Sequence, residues 1–443
     1  MRSISGKKVF ALTGAAAMLL SVAACGSSNA KNAGPSDNTE ITVWAWEPTL
    51  KQADAAFQKK YPNIKVKLEN VGTAAKTVTS LNNAIQAGKG GPDVAQIEYN
   101  TLPQFVIGEA KVANLKDKAS SYKNFYTPGT WSSVNVSGGI YGLPMDSGPQ
   151  ALFYNKATFD KAGIAQPPKT WDEYYQDAQK IRALGGNYYI TSDTGDMPTF
   201  NAYMWQIGAR PYKTSGDKVS ITLKSDPKVK KLTDYWQKMI DEGLIDTKTA
   251  SWSDEWNRGL GDGTIASINI GAWMPANLLG SSAQAKGNMR VAPSPQWDAS
   301  ASPTTGENGG SSLAVMSASK KQDAAWKYIN FISHEKAGIK ARTDAGAFPA
   351  DQATLKDPDF LKGTDELRAY FGGQEYNKVL AQAATTVKPG FQFLPYAGEA
   401  NSIYPDHIGK AYTTKAVTLQ QGLGTFQDAL VKYGKTQGFT VTD

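Results

Sequence analysis

From Glu40 onward, apolar and polar positions repeat with two alternating periods. Ile41-Thr42-Val43-Trp44-Ala45-Trp46 is a β run. Leu50, Ala53, Ala56 and Phe57 then recur at helical spacing, and Tyr61-Pro62 stops that helix. Ile64, Val66 and Leu68 alternate as a second strand. Strand, helix and strand within about 30 residues predict a βαβ unit with a parallel pair. Val78, Leu81 and Ile85 mark a further helix closed by Gly88, and the turn Gly90-Gly91-Pro92 leads into a short strand over 94–97. The first ~110 residues therefore predict a doubly wound α/β lobe.

A second lobe is expected from about Leu152. Thr170-Trp171-Asp172-Glu173 has the form of a capping box, in which the Thr hydroxyl and the Glu carboxylate satisfy free N–H groups at a helix start. Tyr174, Ala178, Ile181 and Leu184 follow at helical spacing, and Gly185-Gly186 ends the run. Asp226-Pro227 opens another helix, with Val229, Leu232, Trp236 and Met239 on one face. Residues 265–270 alternate as a strand that stops at Gly271. Helical patterns return over 324–333 and in the C-terminal third, while 298–310 is Pro, Gly, Ser and Thr rich and reads as a loop or crossing.

The N-terminus breaks this pattern. Arg2, Lys7 and Lys8 precede an apolar run over 9–22, and Ala23 and Ala24 stand before Cys25. That is the layout of a secretory leader, 1–24, and the run is shorter than the ~20 residues of a spanning helix. Val22-Ala23-Ala24-Cys25 resembles the bacterial lipobox, in which the cysteine is lipidated and becomes the first residue. The expectation is lipidation at Cys25, with 26–38 (GSSNAKNAGPSDN) as a flexible tether.

Composition narrows the chemistry. Cys25 is the only cysteine, so a processed chain has no disulfide, cysteine nucleophile or thiolate metal ligand. Net charge is +7, or +4 without Arg2, Lys7 and Lys8; it is scattered, and nucleic acid is not an expected partner. There are two histidines, His334, expected at a helix end as a surface or capping residue, and His407. HExxH, GxSxG, GxGxxG and GxxxxGK[ST] are all missing, so metal-hydrolase, α/β-hydrolase, dinucleotide and P-loop chemistry lack their motifs, and no cofactor or metal is expected. A pair of glycosidase carboxylates has no sequence spacing to test.

Aromatic residues are plentiful, with 11 Trp, 20 Tyr and 15 Phe. Most tryptophans simply fill space. Trp44 with Trp46, Trp205, the pair Trp252 and Trp256, and Trp273 stand where packing alone does not obviously want them. Trp46, Glu98-Tyr99-Asn100 and Trp273 fall at strand ends, where ligands bind in open α/β sheets. Flat rings beside amides and carboxylates suit a sugar, whose C–H faces stack and whose hydroxyls hydrogen-bond.

Tyr141-Gly142-Leu143-Pro144, Ala151-Leu152-Phe153-Tyr154-Asn155-Lys156, Phe159-Asp160-Lys161-Ala162-Gly163-Ile164 and Pro167-Pro168-Lys169-Thr170-Trp171-Asp172-Glu173 form one characteristic series. With Gly91-Pro92-Asp93-Val94, Gly263-Thr264-Ile265-Ala266-Ser267 through Trp273, Gly309-Gly310-Ser311-Ser312 and Gly346-Ala347-Phe348-Pro349, it resembles the extracellular solute-binding proteins of ABC sugar importers, the group that includes maltose-binding protein. The resemblance covers essentially the whole processed chain. It implies a type II periplasmic-binding-protein fold: two doubly wound α/β lobes, 39–147 plus 312–360 and 148–311 plus 361–443, joined by hinge crossovers near 145–150, 309–314 and 355–362. Ligand would sit between the lobes and favour their closure.

The resemblance also carries over ligand positions. Asn100 takes the polar contact after the Pro-Asp strand, with Glu98 beside it. Trp46 and Glu47 lie in the loop after the first strand, and Asp146 lies at a crossover. Asp196 matches an acidic contact with Met197 next to it, and Trp273 matches the stacking tryptophan. Asn308, Gly309 and Gly310 lie at a second crossover. His407, beside Asp406, takes a late aromatic position without its tryptophan, and Ile97 stands where the maltose binder has an aromatic ring, which speaks against a maltose-like ligand. The implied function is non-catalytic capture of a carbohydrate, an oligosaccharide by preference, for an ABC permease. The implied partners are that permease and, through the lipid, the membrane of a Gram-positive surface; a monomer is expected. The alternatives are a secreted glycoside hydrolase and a binder of another solute, such as a polyol phosphate or a peptide. The phosphate case lacks an arginine cluster.

Overall fold

The computed structural model describes residues 38–443, so the leader, Cys25 and all but the last residue of the tether lie outside the described residues. The strands that position the site are β1 (Thr39–Trp44), β2 (Ile64–Glu69), β3 (Val94–Glu98), β4 (Leu143–Pro144), β5 (Gln150–Asn155), β6 (Ser267–Gly271), β7 (Met289–Pro293) and β8 (Ser311–Val315). The helices named below are α1 (Leu50–Lys60), α2 (Ala74–Ala87), α3 (Trp171–Arg182), α4 (Met197–Ile207), α5 (Pro227–Asp241), α6 (Asp254–Asp262), α7 (Met274–Ser281), α8 (Gln322–Ser333), α9 (Lys336–Thr343), α10 (Ala397–Thr413) and α11 (Leu419–Thr436).

The N-terminal pattern folds as its periods require. β1 pairs in parallel with β2 from Thr39 opposite Ile64 to Trp44 opposite Glu69, and α1 makes the crossover. Ile41 and Val43 are fully buried, and α1 buries Leu50, Ala53 and Phe57 along one face. Gly88 caps α2 in the left-handed region at φ 65°. The sheet order is β2-β1-β3-β8-β4, and β8 lies antiparallel to both of its neighbours. The far-downstream segment 311–315 is thus built into the sheet begun by the first strands.

A second sheet, β6-β5-β7, is antiparallel throughout. Its central strand β5 is buried on both faces. Ala151 and Phe153 join one apolar cluster, with Trp256, Leu260, Met274 and Tyr370, while Leu152 joins another built on α3, α4, α5, α10 and α11. A third cluster holds β1–β4, β8, α1 and α8. Among the described residues, no helix is long and apolar enough to cross a membrane.

Several local expectations change in detail. Thr170 caps α3 by accepting from Glu173 N at 3.1 Å, but the Glu173 carboxylate accepts from Lys169 N at 2.6 Å, so the reciprocal half of the box falls one residue early. A full capping box stands instead at Thr418 and Gln421 of α11. The strand expected over 265–270 begins at Ser267, because Ile265 is held separately against Tyr189. His334 does cap α8, yet it is not a simple surface residue. Its ring stacks on Tyr122 at 3.6 Å between centroids and packs on Phe125. Trp205 is core: it stacks on Phe391 and its indole N–H donates to Lys388 O.

Candidate functional site

Strand pairing brings the first group of residues together. Glu98, the last residue of β3, lies directly across from Ser311 of β8. Ser311 donates through its backbone N–H and, at 2.8 Å, its hydroxyl to Asp146 Oδ1. Tyr99 adds a hydroxyl bond to Asp146 O at 2.7 Å, and its N–H donates to Gly310 O. Gln96, fully buried in β3, donates to Ser311 Oγ at 2.9 Å, and its carbonyl accepts from the backbone of Trp46 and Glu47. A single buried amide therefore fixes the loop after β1 against the first crossing. Trp46 is half-buried and lines a groove of about 440 Å³ with Lys51, Asp54, Gln58 and Asn70.

Glu47 is held differently. Its two carboxylate oxygens each accept from Arg342 Nη2 at 3.1 Å, Arg342 Nη1 donates to Met145 O, and Thr49 also donates to Glu47. Its charge is thus spent on a buried guanidinium of α9, and it positions the loop that carries Trp46.

The second group is assembled on helix starts. Asp196 caps α4 by accepting from Thr199 N at 2.9 Å and remains exposed, while the adjacent Met197 is buried. Thr199 Oγ1 accepts from Asn308 Nδ2 at 3.1 Å, and Asn308 O accepts the Trp273 indole N–H at 2.7 Å. Trp273 precedes α7 and is half-buried. Its indole edge fits because the neighbouring backbone has no side chains there. A Cβ on Gly271 would stand 2.3 Å from Trp273 Nε1, and one on Gly309 would stand 3.0 Å from it. Gly309 and Gly310 also take φ of 75° and 85°.

The two chain passages over 145–150 and 306–311 run side by side. Asn308 N donates to Gly148 O, Gln150 N to Gly306 O, and Gly148 N and Ser147 Oγ both donate to Glu307. Eleven of the twelve ligand positions expected from the sequence lie on or next to these passages and the strand and helix ends they join. His407 does not. It sits on α10 with its ring nitrogen on Thr425 and its ring tilted against Phe426.

The electrostatics follow from crowding carboxyls out of water. Burial lifts Glu98 to about 7, helped by the charges of Asp146 and Asp196 and opposed by the Asn100 amide. Asp146 is likewise raised to about 7 by burial and then by Glu47, against the pull of Arg342 and the Ser311 donors. Glu307 reaches about 7 chiefly through burial, with a smaller push from Asp146, while the Gly148 and Ser147 donors hold it down. Asn100 Oδ1, Gln150 Oε1 and Asn201 Oδ1 are buried with no protein partner. Such atoms favour a hydroxyl-bearing ligand that can both donate and accept. Gln96, Gln150 and Asn201 were not singled out from the sequence. The signal was there in kind: an amide inside an apolar run, as in Val94-Ala95-Gln96-Ile97.

Comparison with known proteins fits this geometry. The family model for bacterial extracellular solute-binding proteins matches residues 44–339. An ABC transporter-associated binding protein from Bifidobacterium animalis subsp. lactis, solved with β-1,6-galactobiose, is 48% identical, with 92% of this chain and all of that one covered and a TM-score of 0.82. The galacto-N-biose/lacto-N-biose I-binding protein of a Bifidobacterium longum ABC transporter, solved with lacto-N-biose, is 26% identical over 92% of this chain and all of that one, with a TM-score of 0.79. The arabinooligosaccharide-binding protein of Bacillus subtilis is 25% identical over 92% of this chain and 95% of its own length. These relatives are binding proteins, which leaves the glycoside-hydrolase alternative without support. With its fold, its crossings and a family match over well over half its length in agreement, the chain belongs to the bacterial extracellular solute-binding proteins.

Proposed function

We propose that this protein captures a short β-linked galactose oligosaccharide and hands it unaltered to the permease of an ABC importer. The observation that carries this reading is the gathering of one indole, Trp273, with the carboxyls of Glu98, Asp146 and Asp196 and the amide of Asn100 along two adjacent chain crossings. The ring supplies a stacking face, and the carboxyls and amides supply hydrogen bonds to hydroxyls. The galactose preference rests on the relative that is 48% identical and holds β-1,6-galactobiose.

In this reading the lobes are built on the third apolar cluster and on the other two. The crossings fall at 146–149, at 307–310 and at about 348–354. Phe348 and Leu355 belong to the cluster of Trp256 and Tyr370 while Ala350 belongs to that of β1–β4, which favours a last crossing here over one at 355–362. Ligand contacts come from Trp46, Glu98, Asn100, Asp146, Asp196, Trp273 and Asn308. Glu47, Met197, Gly309 and Gly310 shape the site, and His407 lies apart from it. A lipid on Cys25 and the spacer 26–38 hold a monomer at the cell surface near its permease, raising its effective concentration there.

A thermal-shift screen of galacto-, arabino-, malto- and chito-oligosaccharides tests the assignment. The reading expects stabilisation by β-galactosides above the other classes. Stabilisation by another class alone would replace the ligand, and stabilisation by none would remove the sugar assignment.

A further inference from the structure

Trp252 lies in the loop before α6, and nothing in the fold requires it there. It is 53% exposed, the one large apolar side chain in that state among the described residues. It also holds φ at 70°, a left-handed conformation that a bulky residue resists. The loop is tied in place rather than loose. Asp246 Oδ1 accepts from the N–H groups of Lys248 and Thr249, and Ser253 bonds back to Ala250 O while capping α6 through Trp256 N. The result is a tryptophan presented to solvent at a conformational cost.

The ring is not isolated. It lies at 27° to Trp273 with centroids 5.7 Å apart, and its centroid is 5.1 Å from that of the buried Trp256. Trp256 anchors it to the core, and Trp273 joins it to the proposed ligand site. The two rings form a stacked pair, with Trp252 as its more exposed member. A packing role alone would bury this ring against Trp256, and a solubility role would not place an indole there at all.

We propose that Trp252 is the stacking platform of an outer sugar subsite, which receives the ring of an oligosaccharide beyond the disaccharide seated at Trp273. This inference rests on the sugar-binding reading above and adds to it a preference for chain length. An exposed, pre-positioned indole loses little rotational freedom on stacking, so each added sugar ring that reaches it strengthens binding.

Calorimetric titration of the protein with β-1,6-galactobiose, -triose and -tetraose tests this. The wild type is expected to bind the longer sugars more tightly than the disaccharide. Trp252→Ala is expected to leave the disaccharide Kd within about twofold and to weaken the tetrasaccharide about tenfold, the scale of one lost aromatic contact. Trp252→Tyr, which keeps a ring, should restore most of that difference. Equal weakening of all three sugars by Trp252→Ala, or a wild type that does not distinguish chain lengths, overturns the outer subsite while leaving the sugar reading intact. A wild type that binds none of the three overturns both.

Discussion

The indole of Trp273 lies along the second crossing because Gly148, Gly271 and Gly309 put no Cβ in its path. Trp273→Ala should therefore weaken sugar binding about 30-fold or more, as loss of a central aromatic contact does, while the free protein still melts cooperatively. An unfolded variant would reassign this ring to packing. Glu98 offers a test through pH. Its folded value of about 7 lies above the ordinary 4.5, so the stability it contributes is present below about pH 4.5 and is lost as the pH rises through 7. Glu98→Gln escapes that loss. It should be more stable than wild type at pH 8 by on the order of 1–2 kcal/mol, with the gap closing toward pH 4.5; a gap independent of pH would contradict the buried, crowded carboxyl. At this scale the sequence revealed types better than partners. Motif surroundings marked Trp273 and Asn308 separately, and the bond between them is a feature of the fold. The engagement of Glu47 was not, because its guanidinium lies 295 positions away and no local spacing encodes that bond.

Among the elements, α9 and the loop after β1 are joined by the Arg342–Glu47 pair. Breaking one side leaves a buried charge unpaired, so Arg342→Met should cost about 3–5 kcal/mol in a denaturant titration. The double variant with Glu47→Gln should recover part of it. Full additivity of the two single losses would show that the pair does not act as a unit. The strands and helices of the first lobe were readable because each buries one face at its own period. Three features were not. β8 enters the first sheet from far downstream, β5 to β7 form a separate antiparallel sheet, and Trp205 is core. Each depends on which segments meet in space, which local periodicity does not record.

For the whole molecule, two adjacent crossings beside the proposed ligand residues suit a hinge whose closed form is favoured by contacts made only there. Cys25→Ala should release the protein into the medium and reduce sugar uptake, with binding by the released protein unchanged; continued retention at the membrane would contradict a lipid anchor. The leader and the lipid on Cys25 are expectations from the sequence alone, where their signal is local and compositional. The central claim is capture of a galactoside without chemistry. It is tested most directly by calorimetric titration with β-1,6-galactobiose, followed by chromatography of the recovered sugar. The account predicts one saturable site per chain and galactobiose returned intact. No saturable binding, or galactose released from the disaccharide, would contradict it.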